Sequence, residues 1–307
     1  MSYIHNICDN LIKKYNLFWQ YPVITEKTVF LQQKKNENFI GLPWATIIDK
    51  NINISNLLKE LKTKLNDEKK YITCCQHINF KKIINYLSQI NIDILYVPHK
   101  TKNIDKINNI IIKSCPLYAV NLENNKRNKE FMNVDFNEQK RKVLYSFIGS
   151  YQSIYISKIR NLLLKMKHPD NCIVNYSGEW HFQKEVYHKQ VMNKNINITD
   201  KIKNLSKCKL YNKVLLNSKY SLCPSGSGPN SIRFWESLGV GSIPILLADT
   251  LDLPFHNLWE KAILVVKEKD YKNIPSLLSK ITVEKEKDMR KNCLKIYNDF
   301  KNNFLQI

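Results

Sequence analysis

The sequence predicts two doubly wound α/β lobes with a cleft between them. Its 307 residues are enough for about two domains. Short β-branched or aromatic runs alternate with amphipathic helical stretches, and this alternation begins afresh near residue 143. Hydrophobic residues make up 43% of the chain, which provides apolar material for two buried cores. We therefore predict an N-terminal lobe over residues 1–140 and a C-terminal lobe over residues 141–307.

In the N-terminal lobe, short β-branched or aromatic runs predict four strands, at residues 28–32, 71–75, 93–98 and 117–121. Apolar residues at helical spacing predict three helices, at residues 54–65, 81–90 and 105–113. Strands that alternate with helices form parallel sheets whose faces are covered. The polar and charged segment 123–142 is predicted to link this lobe to the next.

The C-terminal lobe repeats the pattern. Its predicted strands are residues 143–148, 172–176, 220–223, 243–248 and 262–267. Its predicted helices are residues 153–167, 211–218, 230–238, 271–281 and 284–304. A second parallel sheet is therefore expected, with ligands bound beyond the carboxyl ends of its strands.

The charge balance favours anionic partners. The chain has 48 lysines and arginines against 27 acidic residues, a formal net charge of +21. Only five of these cations are arginines, and base-edge recognition normally relies on arginine forks, so we expect no nucleic acid partner. A basic module that binds nucleic acid or an anionic membrane without catalysis remains the alternative to an enzyme.

Cysteine usage and hydropathy indicate a cytoplasmic protein. No apolar run is long enough to cross a bilayer, and the first ten residues lack a basic segment that leads into an apolar one. Of the eight cysteines, Cys74 and Cys75 are adjacent, and no Cys-x-x-Cys pair or Cys/His cluster occurs. We expect reduced thiols, no metal site and a cytoplasmic location, with peripheral contact to an anionic membrane as an open possibility.

The chemistry is predicted to lie in a glycine-rich segment. Four of the seven glycines, Gly226, Gly228, Gly239 and Gly241, bracket the predicted helix 230–238. A strand that feeds a Gly/Ser loop and then a helix presents backbone N–H groups and the positive end of the helix dipole to an anion. The spacing fits neither a Walker loop nor Gly-x-Gly-x-x-Gly. We expect a phosphate at this loop.

Two charged residues follow the loop at helical spacing. Arg233 and Glu236 share one helical face, so Arg233 can fork onto a diphosphate while Glu236 accepts hydrogen bonds from a ribose diol. The plainer interpretation is a turn capped by Asn230 or Ser231, followed by a surface ion pair. Spacing alone does not choose between the two.

Residues 220–255 resemble the nucleotide-sugar site of exostosin-like glycosyltransferases, glycosyltransferase family 47. The resemblance rests on the elements Cys-Pro-x-Gly, Ser-x-Arg-Phe-x-Glu-x-Leu, Gly-x-Ile-Pro-Ile and Leu-Pro-Phe. It extends over residues 144–304 and is weak in the first 140 residues. It implies the GT-B architecture: two Rossmann-like lobes face across a cleft, the C-terminal lobe holds the donor, and the last helix returns to the N-terminal lobe. It also implies inverting transfer from a nucleotide-sugar, with a UDP-sugar expected, to a glycan or lipid-linked glycan acceptor, with no cofactor and no metal.

The resemblance assigns donor-binding roles by position. It places Arg233 at the diphosphate and Glu236 at the ribose, and it makes Arg160 a second candidate for the leaving group. The loop residues expected against the phosphate or donor sugar are Ser225, Gly226, Ser227, Gly228, Asn230 and Ser231. Animal exostosins usually carry a basic residue where this chain has Ser225, so the identity of the donor sugar stays open.

Inverting transfer also needs a base that takes the proton of the acceptor hydroxyl. We expect this base in the N-terminal lobe, with Asp49 as the first candidate and His77 as the second. Helix capping is the alternative for Asp49, and a buried position is the alternative for His77. Three residues are candidates for substrate contact: Trp44, in the Gly/Pro loop before Asp49, His99, at the end of a predicted strand, and Trp180, which could stack on a sugar ring or base. For Trp180, a position in the core is the alternative.

Overall fold

The computed structural model describes residues 1–118, 120–178 and 184–306, and the chain forms two compact units. Unit 1 comprises Met1–Tyr118, Gln190–Asn193 and Thr250–Pro254. Unit 2 comprises the described residues of 120–189, 194–249 and 255–306. Both units are α/β structures that contain parallel strands, as the sequence predicts. The lobe limits at residues 140 and 141 stay a prediction.

Unit 1 is built on a four-stranded sheet in the order β1-β2-β4-β3. Its strands are β1 (Tyr71–Cys74), β2 (Ile92–Val97), β3 (Lys106–Ile107) and β4 (Ile110–Ser114). Its helices are α1 (Tyr3–Lys14), α2 (Thr25–Gln32), α3 (Trp44–Asp49), α4 (Ser55–Lys62) and α5 (Ile84–Ser88), the last preceded by a 3-10 turn at Phe80–Ile83. The β1–β2 and β2–β4 pairs are parallel, and β3 pairs antiparallel with β4.

The prediction of a helix at residues 105–113 is wrong, because this segment is the β3–β4 hairpin. Asn108 adopts a φ of 53° in the connecting turn, a conformation that asparagine tolerates well. In β4, Ile110 and Ile112 are buried while Ile111 is 38% exposed, the alternation of a strand with one face in the core. The dense isoleucines satisfy a helical spacing equally well, and pairing with β2 decides the outcome.

Two predicted strands of unit 1 are also wrong. Residues 28–32 lie in α2, where Val29 and Phe30 are buried on one helical face. Residues 117–121 form no strand in their described part. Leu117 and Tyr118 are buried without strand pairing, and α6 (Val120–Glu123) follows. In both places tertiary packing overrides the local β propensity.

Unit 2 is built on five parallel strands in the order β6-β5-β7-β8-β9. The strands are β5 (Val143–Gly149), β6 (Ile173–Tyr176), β7 (Ser218–Pro224), β8 (Ile243–Leu247) and β9 (Leu264–Val265). After α6 come the helices α7 (Ile159–Lys165), α8 (Ile198–Asn217), α9 (Ile232–Gly239), α10 (Trp259–Ala262), α11 (Ile274–Leu278) and α12 (Val283–Asn303). A π-helical segment covers Lys184–Val191, of which the last two residues belong to unit 1, and 3-10 turns cover Lys129–Phe131, Glu268–Asn273 and Phe304–Gln306.

Helix α7 is shorter than the predicted helix 153–167. It begins at Ile159, and the six residues before it form turns. The backbone N–H of Ile156 in this stretch donates to the carbonyl of Gly226, 3.0 Å away. A backbone donor that is used by another part of the unit is unavailable to a helix, so this tertiary bond accounts for the late start.

The charged segment 123–142 is packed on unit 2. Phe131 lies in a hydrophobic cluster with Leu215 and Val240. Arg141 is 8% exposed, and its guanidinium donates to backbone carbonyls that include those of Leu216 and Val240, at 2.8 and 2.6 Å. Burial lowers the pKa of Arg141 to about 9. A segment whose charges suggested a linker is therefore an ordered part of one unit.

Helix α9 is held in place by an aromatic cluster. Trp235 is completely buried, and its ring centroid lies 5.6 Å from that of Phe300 on α12 and 6.1 Å from that of Trp259 on α10. Phe234 is also buried, 5.4 Å from Trp235. Large aromatic rings in edge-to-face contact stabilise a helix position beyond the area that they bury. This cluster fixes the helix that carries Arg233 and Glu236.

No helix in the described part of the chain combines the length and the apolar character that a membrane span requires.

Candidate functional site

The glycine-rich loop lies at the carboxyl edge of the unit 2 sheet, directly after β7. The N–H of Ser225 donates to the carbonyl of Leu247 at the end of β8, 2.9 Å away. The N–H of Gly226 donates to the carbonyl of Gly228, also 2.9 Å away, and so closes the loop. Ser227 is exposed at its tip. Two of the N–H groups expected to face an anion are therefore used internally. Those of Ser227 and Gly228 have no hydrogen-bond partner among the described residues.

Arg160 of α7 supports the glycine-rich loop through hydrogen bonds to backbone carbonyls. Its Nε donates to the carbonyl of Ser225 at 2.8 Å, and its Nη1 donates to that of Ser150 at 3.2 Å. Burial lowers the pKa of Arg160 to about 10. A Cβ atom at Gly226 would lie 2.7 Å from Nη2 of Arg160, so a larger residue there would displace the end of this side chain. In this conformation Arg160 positions the loop through its backbone.

Arg233 of α9 lies between aromatic rings. Its guanidinium carbon is 4.9 Å from the ring centroids of both Phe147 on β5 and Tyr211 on α8. Its Nη2 donates to the carbonyl of Ile148. Stacking of this kind holds the planar guanidinium in one orientation while some of its donors stay available. Arg160 also contacts the Phe147 ring, at 5.8 Å, so the two arginines flank one aromatic side chain.

Glu236 is buried one turn further along α9. Its Oε2 accepts a hydrogen bond from the Tyr211 hydroxyl at 2.6 Å, and its Oε1 has no partner among the described residues. Burial raises the pKa of this carboxyl, against the opposing effects of the Tyr211 bond and the Arg233 charge. No ion pair joins Arg233 and Glu236, so the plainer interpretation of a surface pair does not hold. A buried carboxylate oxygen without a partner is costly unless a ligand uses it.

Asn230 and Ser231 form the entry to α9. The Asn230 Oδ1 accepts hydrogen bonds from the N–H of Ser231 at 2.8 Å and from the indole Nε1 of Trp235 at 3.1 Å. Ser231 occupies the N-cap position without a capping bond from its own side chain. Both residues therefore shape the loop and the first turn.

In unit 1, the two candidate bases form one pair. The His77 Nε2 lies 2.9 Å from Asp49 Oδ1, and Gln20 Nε2 donates to Asp49 Oδ2 at 2.5 Å. The N–H of Asn79 donates to His77 Nδ1 at 3.0 Å, which assigns the ring proton to Nε2. Burial alone would raise the pKa of Asp49, but the hydrogen bonds of His77 and Gln20 outweigh it and the pKa is lowered. Asp49 is therefore an ionised carboxylate with a fixed orientation.

The three predicted substrate contacts have different outcomes. Trp44 lies in the core of unit 1: its side chain is completely buried and its Nε1 donates to Thr73 Oγ1 at 2.8 Å. His99 is 9% exposed, and burial, together with the charge of His77, lowers its pKa to about 3. It is a neutral histidine near the Asp49–His77 pair. Trp180 lies outside the described residues.

Sequence reasoning missed Glu26, which braces this pair. Its Oε1 accepts hydrogen bonds from the N–H groups of Ala45 in α3 and Gln76, each at 3.0 Å. Its own N–H donates to Gln76 Oε1 at 3.0 Å. Helix α3 ends at Asp49 and Gln76 precedes His77, so one carboxyl holds both chain segments. No motif marks Glu26, since its partners are distant in sequence.

Glu26 is expected to make the stability of the protein depend on pH. Burial raises its pKa from 4.5 to about 8, against the opposing N–H bonds of Gln76 and Ala45. The folded protein then holds a proton that the unfolded chain releases. The free energy of unfolding therefore falls by up to about 1.4 kcal/mol per unit as the pH rises through this interval. Urea unfolding should show that the wild type loses stability between pH 6 and pH 8. Glu26→Gln lacks this titrating group, so its free energy of unfolding should rise relative to that of the wild type as the pH increases.

The control for this experiment is Glu68→Gln, which removes an exposed carboxylate of the same unit. Its stability should follow that of the wild type at both pH values. A constant difference between Glu26→Gln and the wild type at pH 6 and pH 8 would contradict the raised pKa.

The parallel sheet of unit 2, with a closed loop and two stacked arginines at its carboxyl edge, places this chain among the Rossmann-like α/β proteins. Residues 114–281 match the family model of the Exostosin GT47 domain, and the chain belongs to this family. The resemblance seen in residues 220–255 is confirmed.

Several curated proteins are similar over parts of the chain. An Exostosin-1 homolog of Caenorhabditis elegans is 29% identical over 182 residues, which cover 57% of this chain and 45% of that protein. A probable glucuronoxylan glucuronosyltransferase of Arabidopsis thaliana is 36% identical over 73 residues, 23% of this chain and 16% of the relative. A probable beta-1,4-xylosyltransferase of the same plant is 37% identical over 67 residues, 21% and 16% of the two chains. The matched region thus spans less than half of each relative.

Proposed function

We propose that this protein is an inverting glycosyltransferase that moves a sugar from a UDP-sugar to a hydroxyl of a glycan or lipid-linked glycan. Membership of the exostosin GT47 family supports glycosyl transfer. The observation that carries the proposal is the unpartnered Oε1 of the buried Glu236, one turn from the stacked guanidinium of Arg233. A nucleoside diphosphate supplies both the hydroxyl donors and the phosphate acceptors that these two side chains lack.

Arg233 binds the diphosphate through donors that Ile148 leaves available, and Glu236 Oε1 accepts from the ribose diol. Because Oε1 lies beneath the surface, nucleotide binding includes a local movement of the side chains that cover it. The exposed loop residue Ser227 and the N-terminus of α9 face the phosphates or the donor sugar. We propose that the two units adopt the GT-B arrangement around this donor.

The proposed chemistry is a single displacement at the anomeric carbon. Asp49 takes the proton of the acceptor hydroxyl, and the nucleoside diphosphate leaves from the opposite face. His77 and Gln20 hold the carboxylate in place through its two oxygens. The charge that develops on the leaving group is balanced by Arg233 and the α9 N-terminus, with no divalent metal required.

Nucleotide binding tests this function. Isothermal titration is expected to show UDP binding, equal with and without EDTA. Arg233→Ala should weaken it by about 10- to 100-fold, since charged hydrogen bonds contribute about 1.5–3 kcal/mol. The wild type should prefer UDP over 2′-deoxy-UDP, and Glu236→Gln should reduce this preference because it removes the charged acceptor.

Lys165→Ala serves as the matched control, because it removes an exposed cation at the end of α7. Its affinity for UDP should equal that of the wild type. Failure of UDP to bind would end the proposal, and so would an Arg233→Ala variant with unchanged affinity.

A further inference from the structure

A carboxylate that the proposed donor chemistry does not use lies beside the glycine-rich loop. Glu268 begins the 3-10 turn after β9, at the carboxyl edge of the unit 2 sheet. Its backbone N–H donates to Asp249 Oδ1 at 3.0 Å, just beyond the end of β8. The residue is therefore fixed at the edge where the strands of a parallel α/β sheet present their ligands.

Two serine hydroxyls orient the Glu268 side chain. Ser225, the first loop residue, donates from Oγ to Glu268 Oε1 at 2.9 Å, and Ser157 donates to Oε2. Ser225 is 1% exposed, so its hydroxyl lies inside the protein and not in bulk water. The Glu268 carboxylate is thus hydrogen-bonded to Ser225, the residue before Gly226.

The charge of Glu268 is not neutralised by an ion pair within the described residues. Arg160 approaches the same loop residue, but its donors go to the carbonyls of Ser225, Ser150 and Pro224. The negative charge therefore lies within hydrogen-bond distance of the first loop residue, Ser225. Partial burial weakens the screening by solvent and salt.

We propose that Glu268 selects a donor with an uncharged sugar and disfavours a uronic acid. This inference rests on the proposed function, which places the donor sugar at the same loop. A fixed carboxylate repels the C6 carboxylate of a uronosyl donor, whereas the hydroxyls of a neutral sugar can donate hydrogen bonds to it. Discrimination then comes from a repulsive element as well as from an attractive one.

Competition binding tests the inference without knowledge of the acceptor. UDP-glucose and UDP-glucuronate differ only at C6, and so do UDP-galactose and UDP-galacturonate. In titrations at low salt, the wild type should bind the neutral member of at least one pair about tenfold more tightly. Glu268→Gln should reduce this ratio at least fivefold, mainly by improving the affinity for the uronate.

Matched variants separate charge from structure. Glu260→Gln removes an exposed carboxylate of the same unit and should leave the ratio unchanged. Ser157→Ala removes one bond to Glu268 but keeps its charge, so the neutral sugar should still be preferred. Should Glu268→Gln fold poorly, the salt dependence of the wild-type ratio gives the same information, because repulsion weakens as salt rises.

The outcomes are distinguishable. Absence of UDP binding in the wild type would end the proposed function and this inference with it. UDP binding together with equal affinity for both members of each pair, or with a ratio that Glu268→Gln leaves unchanged, would overturn the selection of a neutral sugar alone.

Discussion

Replacing Asp49 with asparagine is expected to lower the rate of sugar transfer by about 10²- to 10⁴-fold, the usual contribution of a general base. Asparagine keeps an oxygen that accepts from His77 Nε2, whereas the bond from Gln20 Nε2 to the second oxygen is lost together with the proton acceptor. The affinity for UDP should stay that of the wild type. The measurement is transfer from a UDP-sugar to the best acceptor of a glycan panel, alongside UDP titration.

His77 provides the decisive comparison. Its Nδ1 already accepts the N–H of Asn79, and its Nε2 is bonded to Asp49, so we assign it the orientation of the carboxylate. His77→Ala should therefore cost less activity than Asp49→Asn, about tenfold. Asp67→Asn, on the surface of unit 1, is the control. A larger loss in His77→Ala would make the imidazole the base and contradict the assignment to Asp49.

Trp235→Ala is expected to lower the free energy of unfolding by about 3–5 kcal/mol, the usual range for a large aromatic side chain removed from a core. Trp235 is fully buried among Phe234, Trp259 and Phe300, whose rings are fixed on three helices. Its removal also leaves Asn230 Oδ1 without the indole donor. Urea unfolding monitored by circular dichroism would measure the loss.

Trp235→Phe is the companion variant, because it keeps an aromatic ring in the cluster while it removes the indole donor and a part of the apolar volume. It should destabilise the protein less, by about 1–3 kcal/mol, and should still loosen the loop through Asn230. A Trp235→Ala variant that loses less than about 1 kcal/mol would contradict the role of the aromatic cluster in holding α9.

The five arginines have structural roles that the net charge of the sequence does not indicate. The sequence has five arginines among 48 cations, and all five lie in unit 2. Four of them donate to backbone carbonyls: Arg141, Arg160, Arg233 and Arg290. Arg127 donates to Asn121 Oδ1. A planar fork suits these buried acceptors, so the arginines mark structural and loop-supporting positions while lysines make up most of the net charge.

Local patterns predicted the elements that depend on short-range sequence. Strands β1, β2 and β5 to β8 are near their predicted positions, because β-branched and aromatic runs bounded by turn residues leave few alternatives. The hairpin at residues 105–113 and the late start of α7 could not be predicted in this way. In each, a partner far along the chain decides the conformation, as β2 does for β4 and Gly226 does for Ile156.

The candidate site also combines features that local sequence predicts with features that distant contacts decide. The sequence identified Asp49 and His77 as separate alternatives, whereas the fold joins them through one hydrogen bond across 28 residues. It identified Glu236 from its spacing to Arg233. The Tyr211 hydroxyl that covers one of its oxygens could not be inferred, because it comes from another helix.

The sequence by itself determined the order of strands and helices around the glycine-rich loop, the spacing of Arg233 and Glu236, and the family. These depend on residues within a few positions of one another. Only the tertiary structure decided that Trp44 is a core residue, that Glu26 braces Asp49 and His77, and that Glu268 lies beside Ser225. Burial and hydrogen-bond pairing depend on contacts between distant segments, which exist only once the chain has folded.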